Sequence, residues 1–221
     1  MTTDRHEHEP RRRPTTPESG AIGKGCLVGL GLGLVLLVLV AMTIGQYNGL
    51  VERQEGTRQY FAGIDSEYKR RFDLVPNLVA TVAGVAGFEK STLTAVTEAR
   101  ASVGRATLPA GLPTEGPELQ AYLSAQQSLG SALARLLVVT ENYPELRATG
   151  NFSDLQHQLE GTENRINVAR VDYLRVAKDY NAAIRKFPAN LLAGMFHFER
   201  ATELPTLAEE RVTPKVDFGD K

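Results

Sequence analysis

The chain has 221 residues, with 25 Lys and Arg against 26 Asp and Glu, a single Cys and no Trp. This near balance of charge argues against a nucleic-acid-binding protein, which usually concentrates basic residues on one surface. One cysteine cannot form an internal disulfide bond, so an oxidising compartment is neither required nor excluded.

Residues 1–24 are predicted to be a disordered basic tail. They carry almost no apolar side chains, so they cannot bury enough surface to offset the entropy of the chain. His6 and His8 are spaced so that both could touch one metal ion, but a solvated tail is the preferred interpretation.

The next segment, residues 25–46, is predicted to be a transmembrane helix. It contains the uncharged apolar run Cys26 to Ile44, and roughly 20 such residues in a helix cross a hydrocarbon core about 30 Å thick. A cleaved signal peptide is the alternative. Its apolar region would be shorter, and no convincing cleavage site with small residues follows the run.

Basic residues near this helix predict its orientation. Arg11, Arg12, Arg13 and Lys24 precede it, whereas only Arg53 and Arg58 follow within a comparable distance. By the positive-inside rule the tail is cytoplasmic and the C-terminal part lies outside the cytoplasm. The chain is therefore expected in the cell membrane, which it crosses once.

Small residues recur every four positions along the predicted transmembrane helix. Such spacing lets two helix backbones approach closely and favours association within the membrane, although glycine is also common in membrane helices generally. The predicted packing face consists of Gly25, Gly29, Gly33, Ala41 and Gly45.

After the membrane segment the apolar residues follow helical spacing. A first helix carries a stripe from Thr57 to Tyr68 that ends at KRRFD. Because Pro76 disfavours helical angles at the residue before it, a break or tight turn is predicted near Asp73 to Val75. The alternative is a kink within one very long helix.

Three further helices are predicted. The second runs from about Leu74 to Gly104, and the Pro- and Gly-rich segment Thr107 to Pro117 is a loop. The third spans roughly Glu118 to Ala148. It stops at Gly150-Asn151, where Asn151 or Ser153 can cap the next helix.

The fourth helix, which Pro188 ends, carries the clearest pattern in the chain. Steps of four and three alternate along it, as in a heptad seam, and the residues on this seam are Leu155, Leu159, Thr162, Ile166, Ala169, Tyr173, Val176, Tyr180, Ala183 and Phe187. The opposite face is predicted to be solvated and carries Glu160, Glu163, Arg170, Lys178 and Arg185.

These patterns predict an all-α protein, in which an N-terminal transmembrane helix is followed by an antiparallel four-helix bundle of long helices. The bundle covers residues 47–200, and residues 201–221 form an irregular tail. In such a bundle the Lys69–Arg71 cluster lies far from the bilayer, and Phe187 to Phe198 lies near it.

Several segments together resemble the LemA family of bacterial membrane proteins, over about three-quarters of the chain. They are YNGLVERQE (47–55), IDSEYKRRFDLVPNLVATVAG (64–84), LTAVTEARA (93–101), ENYPELRA (141–148), LQHQLEGTENRINVAR (155–170) and DYNAAIRKFPANLLAGMFHF (179–198). The resemblance implies a single-pass protein with a helical bundle and no established enzymatic activity. Similar members include proteins implicated in magnetosome membrane formation, which suggests envelope or membrane-organising work.

The sequence contains no recognisable catalytic motif. It contains no HExxH motif, cysteine cluster, nucleophile elbow, P-loop or dinucleotide fingerprint. Glu160 and Glu163 could join a metal site in a bundle core, but the Glu-x-x-His motif of such sites is missing. We expect no enzyme, cofactor, metal or small-molecule substrate.

Two groups of residues are candidates for interaction. Lys69, Arg70 and Arg71 are either a solvated face or a docking site for acidic partners. A second group of apolar residues lies beyond the predicted seam and either folds back onto the bundle or contacts a second subunit or the bilayer. Its members are Leu191, Leu192, Met195, Phe196 and Phe198.

Two functions follow from these observations. The first is a non-enzymatic, membrane-anchored scaffold that contacts membrane lipid, forms homo-oligomers and organises the envelope. The second is a membrane-tethered adaptor that binds a transporter, protease or signalling protein without assembling itself.

Overall fold

A computed structural model describes residues 24–108 and 111–204. The described residues form helices and no strand, so the prediction of an all-α protein is confirmed. The helices are α1 (Lys24–Ala83), α2 (Lys90–Arg105), α3 (Pro117–Thr140), α4 (Pro144–Arg147), α5 (Gly150–Ala183) and α6 (Ala189–Met195). The tail up to residue 23, with His6 and His8, and residues 205–221 lie outside the described part.

The chain divides into two compact units at Thr43 and Ile44. The first unit contains most of the apolar part of α1, and its large apolar side chains from Leu27 to Met42 are exposed. By length and composition α1 is able to cross a membrane. The described residues from Ile44 to Leu204 form the second unit, which we call the helical unit.

Helix α1 continues through Asp73 to Val75, so the predicted break there is wrong and the alternative of one very long helix is correct. Pro76 lies inside the helix and has no N–H to bond the carbonyl of Phe72, four residues earlier. Arg100 of α2 supplies a substitute donor, because its Nε lies 3.3 Å from that oxygen. The same guanidinium stacks on the Phe72 ring, 3.9 Å from the ring centre. A contact distant in sequence therefore compensates for the proline.

The chain turns instead between Ala83 and Lys90, inside the predicted second helix, which is therefore wrong over its first half. Gly87 has a φ of +79°, a left-handed conformation that glycine adopts without strain. The Tyr143 hydroxyl donates to the Gly87 carbonyl oxygen at 3.1 Å, and the Tyr143 ring packs on Phe88 with a centroid distance of 4.8 Å.

The predicted third and fourth helices also have different ends. Helix α3 starts at Pro117, after the non-helical residues 111–116, but ends at Thr140. Pro144 begins a separate short helix. Helix α5 then begins at Gly150, so Asn151 and Ser153 lie within it rather than capping it. It ends at Ala183, four residues before Phe187.

Side-chain contacts define how the helices run past one another. Phe61 and Arg71 of α1 contact Tyr173 and Glu163 of α5, respectively, so these two helices are antiparallel. Tyr68 and Arg71 meet Tyr122 and Gln126 of α3, so α1 and α3 run in the same direction. A four-helix bundle needs these directions, but that arrangement itself stays a prediction.

The core contains two apolar clusters. One is built around Ile64, Tyr173 and Tyr180, and the other around Leu78, Leu129 and Leu136. The predicted seam of α5 is correct at five buried positions, which are Leu159, Thr162, Ile166, Tyr173 and Tyr180. It is wrong at Phe187, which is 81% exposed because the helix has already ended.

Candidate interaction site

The basic cluster Lys69–Arg71 does not form a single surface. Lys69 and Arg70 are exposed, whereas Arg71 is only 3% exposed, so its prediction as an interaction residue is wrong. Its Nη1 lies 3.0 Å from Oε1 of Glu163. Its Nη2 donates at 2.8 Å both to the backbone oxygen and to Oε1 of Gln126. Arg71 therefore joins α1, α3 and α5 from within.

Arg71, Gln126 and Glu163 form what we call the polar layer. On α1 it falls between Tyr68 and Val75, which belong to different apolar clusters. A buried charge is tolerated when it is paired and hydrogen-bonded, and breaking such a pair is costly. The layer therefore holds three helices in one register.

Gly130 gives the Arg71 guanidinium its space. A Cβ atom placed on Gly130 would lie 3.1 Å from Nη1 of Arg71, closer than ordinary van der Waals contact. Because Arg71 is held by Gln126 and Glu163, the guanidinium has little freedom to move away. The glycine is thus required by a close approach rather than by its own backbone angles.

A second polar contact lies one turn from the layer. Arg170, predicted to be solvated, is 9% exposed, and its Nη1 donates to the Tyr68 hydroxyl at 3.1 Å. Tyr122 donates to Oδ1 of Asp65 at 2.6 Å. Burial, together with the nearby Asp65 carboxylate, raises the pKa of the Tyr122 hydroxyl, so this phenol stays neutral and acts as a donor. These two bonds connect α1 with α3 and α5.

The apolar candidates near α6 divide into two sets. Leu192 and Phe198 pack against the first core cluster, as the folding-back alternative predicted. Leu191 and Met195 are 62% and 67% exposed, and Phe196 is also exposed. Together with Phe187, which was assigned to the seam, these exposed side chains form what we call the α6 patch.

Aromatic and backbone contacts hold the segment after α5 in place. The Tyr47 ring, three residues beyond the apolar run, packs edge-on against Phe196 and Phe198 at 4.8 and 5.8 Å. The Asn181 side chain bonds both the N–H and the carbonyl of Ala201 at 2.9 Å, and Tyr180 donates to the Glu199 carbonyl. The α6 patch therefore sits on a fixed base beside the start of the helical unit.

A cleft of about 370 Å³ opens next to this base. It lies between the first residues of the helical unit in α1 and the segment from the end of α5 to the start of α6. Its lining residues are Gln46, Gly49, Leu50, Arg53, Asp179, Ala182, Ala183, Lys186, Phe187, Pro188 and Ala189. Local sequence patterns did not predict this cleft, because its walls come from two parts of the chain that only folding brings together.

The small residues of the predicted packing face are accessible. A Cβ atom placed on Gly25, Gly29, Gly33 or Gly45 meets no atom within 4 Å, and Ala41 is exposed. At about 100° per residue, Gly25, Gly29 and Gly33 lie within about 80° of one another, whereas Ala41 and Gly45 lie about 80° and 120° further around α1, away from this face. Whether this face packs against a second helix stays a prediction.

Within the described residues no group of three His, Cys, Asp or Glu side chains is placed to hold a metal ion. Glu163 accepts a hydrogen bond from Arg71, and Glu160 accepts one from Gln156 at 2.8 Å. This geometry gives the two carboxylates structural roles. The expectation that the protein works without a metal or cofactor stays a prediction.

A family model provides the assignment of this chain. The model of the LemA family matches residues 60–218, which is well over half of the sequence. The chain belongs to the LemA family. Together with the exposed apolar helix, this membership indicates a membrane protein.

Curated relatives of this LemA-family chain include three magnetosome proteins. Magnetosome protein MamQ 2 and Magnetosome protein MamQ 1 of Paramagnetospirillum magneticum are each 29% identical over 231 residues, which covers 95% of this chain and 82% of the relative. Magnetosome protein MamQ of Magnetospirillum gryphiswaldense is 27% identical over 232 residues, with the same coverage.

Proposed function

We propose that this LemA-family protein is a non-enzymatic, membrane-anchored scaffold of the bacterial envelope. It self-associates and organises the membrane or proteins within it. The tail is cytoplasmic, and the helical unit lies outside the cytoplasm. Its relatives are named magnetosome proteins, which supports a role in building a cell structure.

The observation that carries this proposal is the open small-residue face of α1. Nothing covers Gly29 or Gly33 in the described part of the chain, and close backbone approach at such positions drives association of helices in lipid. Arg71, Gln126 and Glu163 bond one another across three helices, which supports a structural role over catalysis.

Crosslinking in native membranes tests self-association. Replacing Gly29 and Gly33 by leucine should reduce the crosslinked dimer strongly, because the bulky side chains separate the two backbones. Gly31→Leu is the matched control, since Gly31 lies about 200° around the helix from Gly29 and Gly33. A wild-type protein that is strictly monomeric in its membrane would end the scaffold proposal.

A tethered adaptor is the second candidate, and the exposure of Lys69 and Arg70 favours it. Affinity capture with wild type and with the Lys69→Gln/Arg70→Gln variant separates the two functions. Loss of a captured acidic protein from the variant, with a monomeric wild type, supports the adaptor. Equal capture by both proteins argues against a docking role for these cations.

A further inference from the structure

The cleft beside α6 combines positive charge with apolar surface. Arg53 and Lys186 line it together with one carboxylate, Asp179, so its lining carries one net positive charge. Neither cation forms an ion pair with any other residue in the described ranges. The two cations are therefore available to an external anion.

The size and lining of the cleft suit a ligand that has a small polar group attached to an apolar group. Its volume of about 370 Å³ falls within the range of roughly 300–1,000 Å³ that is typical of small-molecule sites. Phe187 and Pro188 form part of its wall. Leu191 and Met195 are exposed nearby on α6.

Chain connectivity keeps this cleft near lipid. Gln46 and Gly49 line it, and they follow the end of the apolar run at Ile44 by two and five residues. Even a fully extended chain of five residues spans only about 18 Å. The cleft is thus within reach of a bilayer surface, whatever the orientation of the helical unit.

We propose that the cleft binds the headgroup of an anionic phospholipid, with Arg53 and Lys186 on the phosphate and Phe187 against the acyl-chain boundary. Basic side chains near a membrane attract anionic lipids, and apolar neighbours anchor such a site in the interface. The inference rests on the proposed membrane anchorage but not on self-association.

Native mass spectrometry of the full chain in detergent tests this site. The protein is titrated with short-chain phosphatidylglycerol, with phosphatidylcholine of the same chain length, and with inorganic phosphate. Phosphatidylglycerol should bind more tightly than phosphatidylcholine. Arg53→Gln/Lys186→Gln should weaken phosphatidylglycerol binding roughly 10- to 30-fold, since each basic side chain near a membrane surface strengthens the binding of anionic lipid by roughly three- to sixfold.

Two further variants sharpen the test. Lys69→Gln/Arg70→Gln removes the same charge far from the cleft and should leave the affinity unchanged. Asp179→Asn removes the carboxylate and should tighten binding. Arg53 and Lys186 are exposed, so the double variant should keep its helix content by circular dichroism.

Equal binding of the two lipids, equal losses in the cleft and control variants, or phosphate binding as tightly as phosphatidylglycerol would each overturn the proposal. The same spectra report the number of chains in each complex. A lipid preference in the monomeric complexes would therefore support this site independently of the scaffold.

Discussion

Replacing Arg71 by methionine tests whether the polar layer holds the helical unit together. Methionine keeps most of the apolar stem of arginine but removes the guanidinium. The substitution leaves Oε1 of the buried Gln126 without its 2.8 Å donor and leaves Glu163 without its cation. The side chain of Glu163 is 43% exposed, so water restores part of its solvation.

The magnitude follows from these two losses. Removing one partner of a fully buried ion pair costs about 3–5 kcal/mol, and the exposure of Glu163 reduces this figure. The unsatisfied Gln126 oxygen adds about 1–3 kcal/mol on its own. We expect Arg71→Met to lower the free energy of unfolding by roughly 2–4 kcal/mol, or the melting temperature by about 4–16 °C for a domain of this size.

Thermal unfolding of the full chain in detergent, followed by circular dichroism at 222 nm, measures this effect. Arg165→Met is the matched control, because Arg165 also pairs α5 with α1, through Glu67 at 2.9 Å, but its side chain is 43% exposed. We expect about 1 kcal/mol or less from the control. Equal losses in the two variants would refute the argument that the layer is a buried determinant of stability.

Three further predictions concern other parts of the helical unit. Leu191→Ser/Met195→Ser should preserve helix content but weaken crosslinking in membranes, because both side chains are exposed; unchanged crosslinking would exclude a role in assembly. Burial raises the pKa of Tyr180 to about 12, above its ordinary value, so the stability it contributes is complete below pH 10 and is lost as pH rises toward 12. The melting temperature should fall over this range, and less steeply in Tyr180→Phe; parallel curves would contradict this assignment. Arg100→Ala should lower the free energy of unfolding by about 1–2 kcal/mol, because the Phe72 carbonyl loses its hydrogen-bond donor and the Phe72 ring loses its cation. Chemical denaturation measures this change, and no change would show that Pro76 needs no compensation.

The continuity of α1 could have been predicted from its stripe. The buried residues of α1 keep steps of four and three from Thr57 through Tyr68, Arg71 and Val75 to Val82. The stripe was predicted to end at the basic cluster, since arginine is rarely buried and proline usually interrupts a helix. Following the period rather than the residue types would have predicted both the long helix and the burial of Arg71.

The seam of α5 was predicted correctly at Leu159, Thr162, Ile166, Tyr173 and Tyr180, but two buried positions beside it were missed. Arg170 and Ala177 are buried, whereas the neighbouring seam residues Ala169 and Val176 are only partly buried. The burial of Arg170 could not be predicted from the local pattern, because the Tyr68 hydroxyl that it bonds lies 102 residues away in sequence.

The cleft and the substitute donor for Pro76 were beyond prediction from local patterns. Both depend on residues that are brought together by folding, such as Arg53 with Lys186 and Arg100 with Phe72. By contrast, the all-α class and the apolar helix follow from periodicity and composition alone. Leu191, Met195 and Phe196 are exposed beyond the seam, but their contact with a second subunit or the bilayer stays a prediction.

Counting the chains in each complex within native membranes tests the scaffold most directly. A fluorescent fusion of the full chain at low expression would be followed by single-molecule photobleaching. The account predicts two or more bleaching steps in most complexes, and a shift to single steps in Gly29→Leu/Gly33→Leu but not in Gly31→Leu. Single steps throughout in the wild-type protein would contradict it.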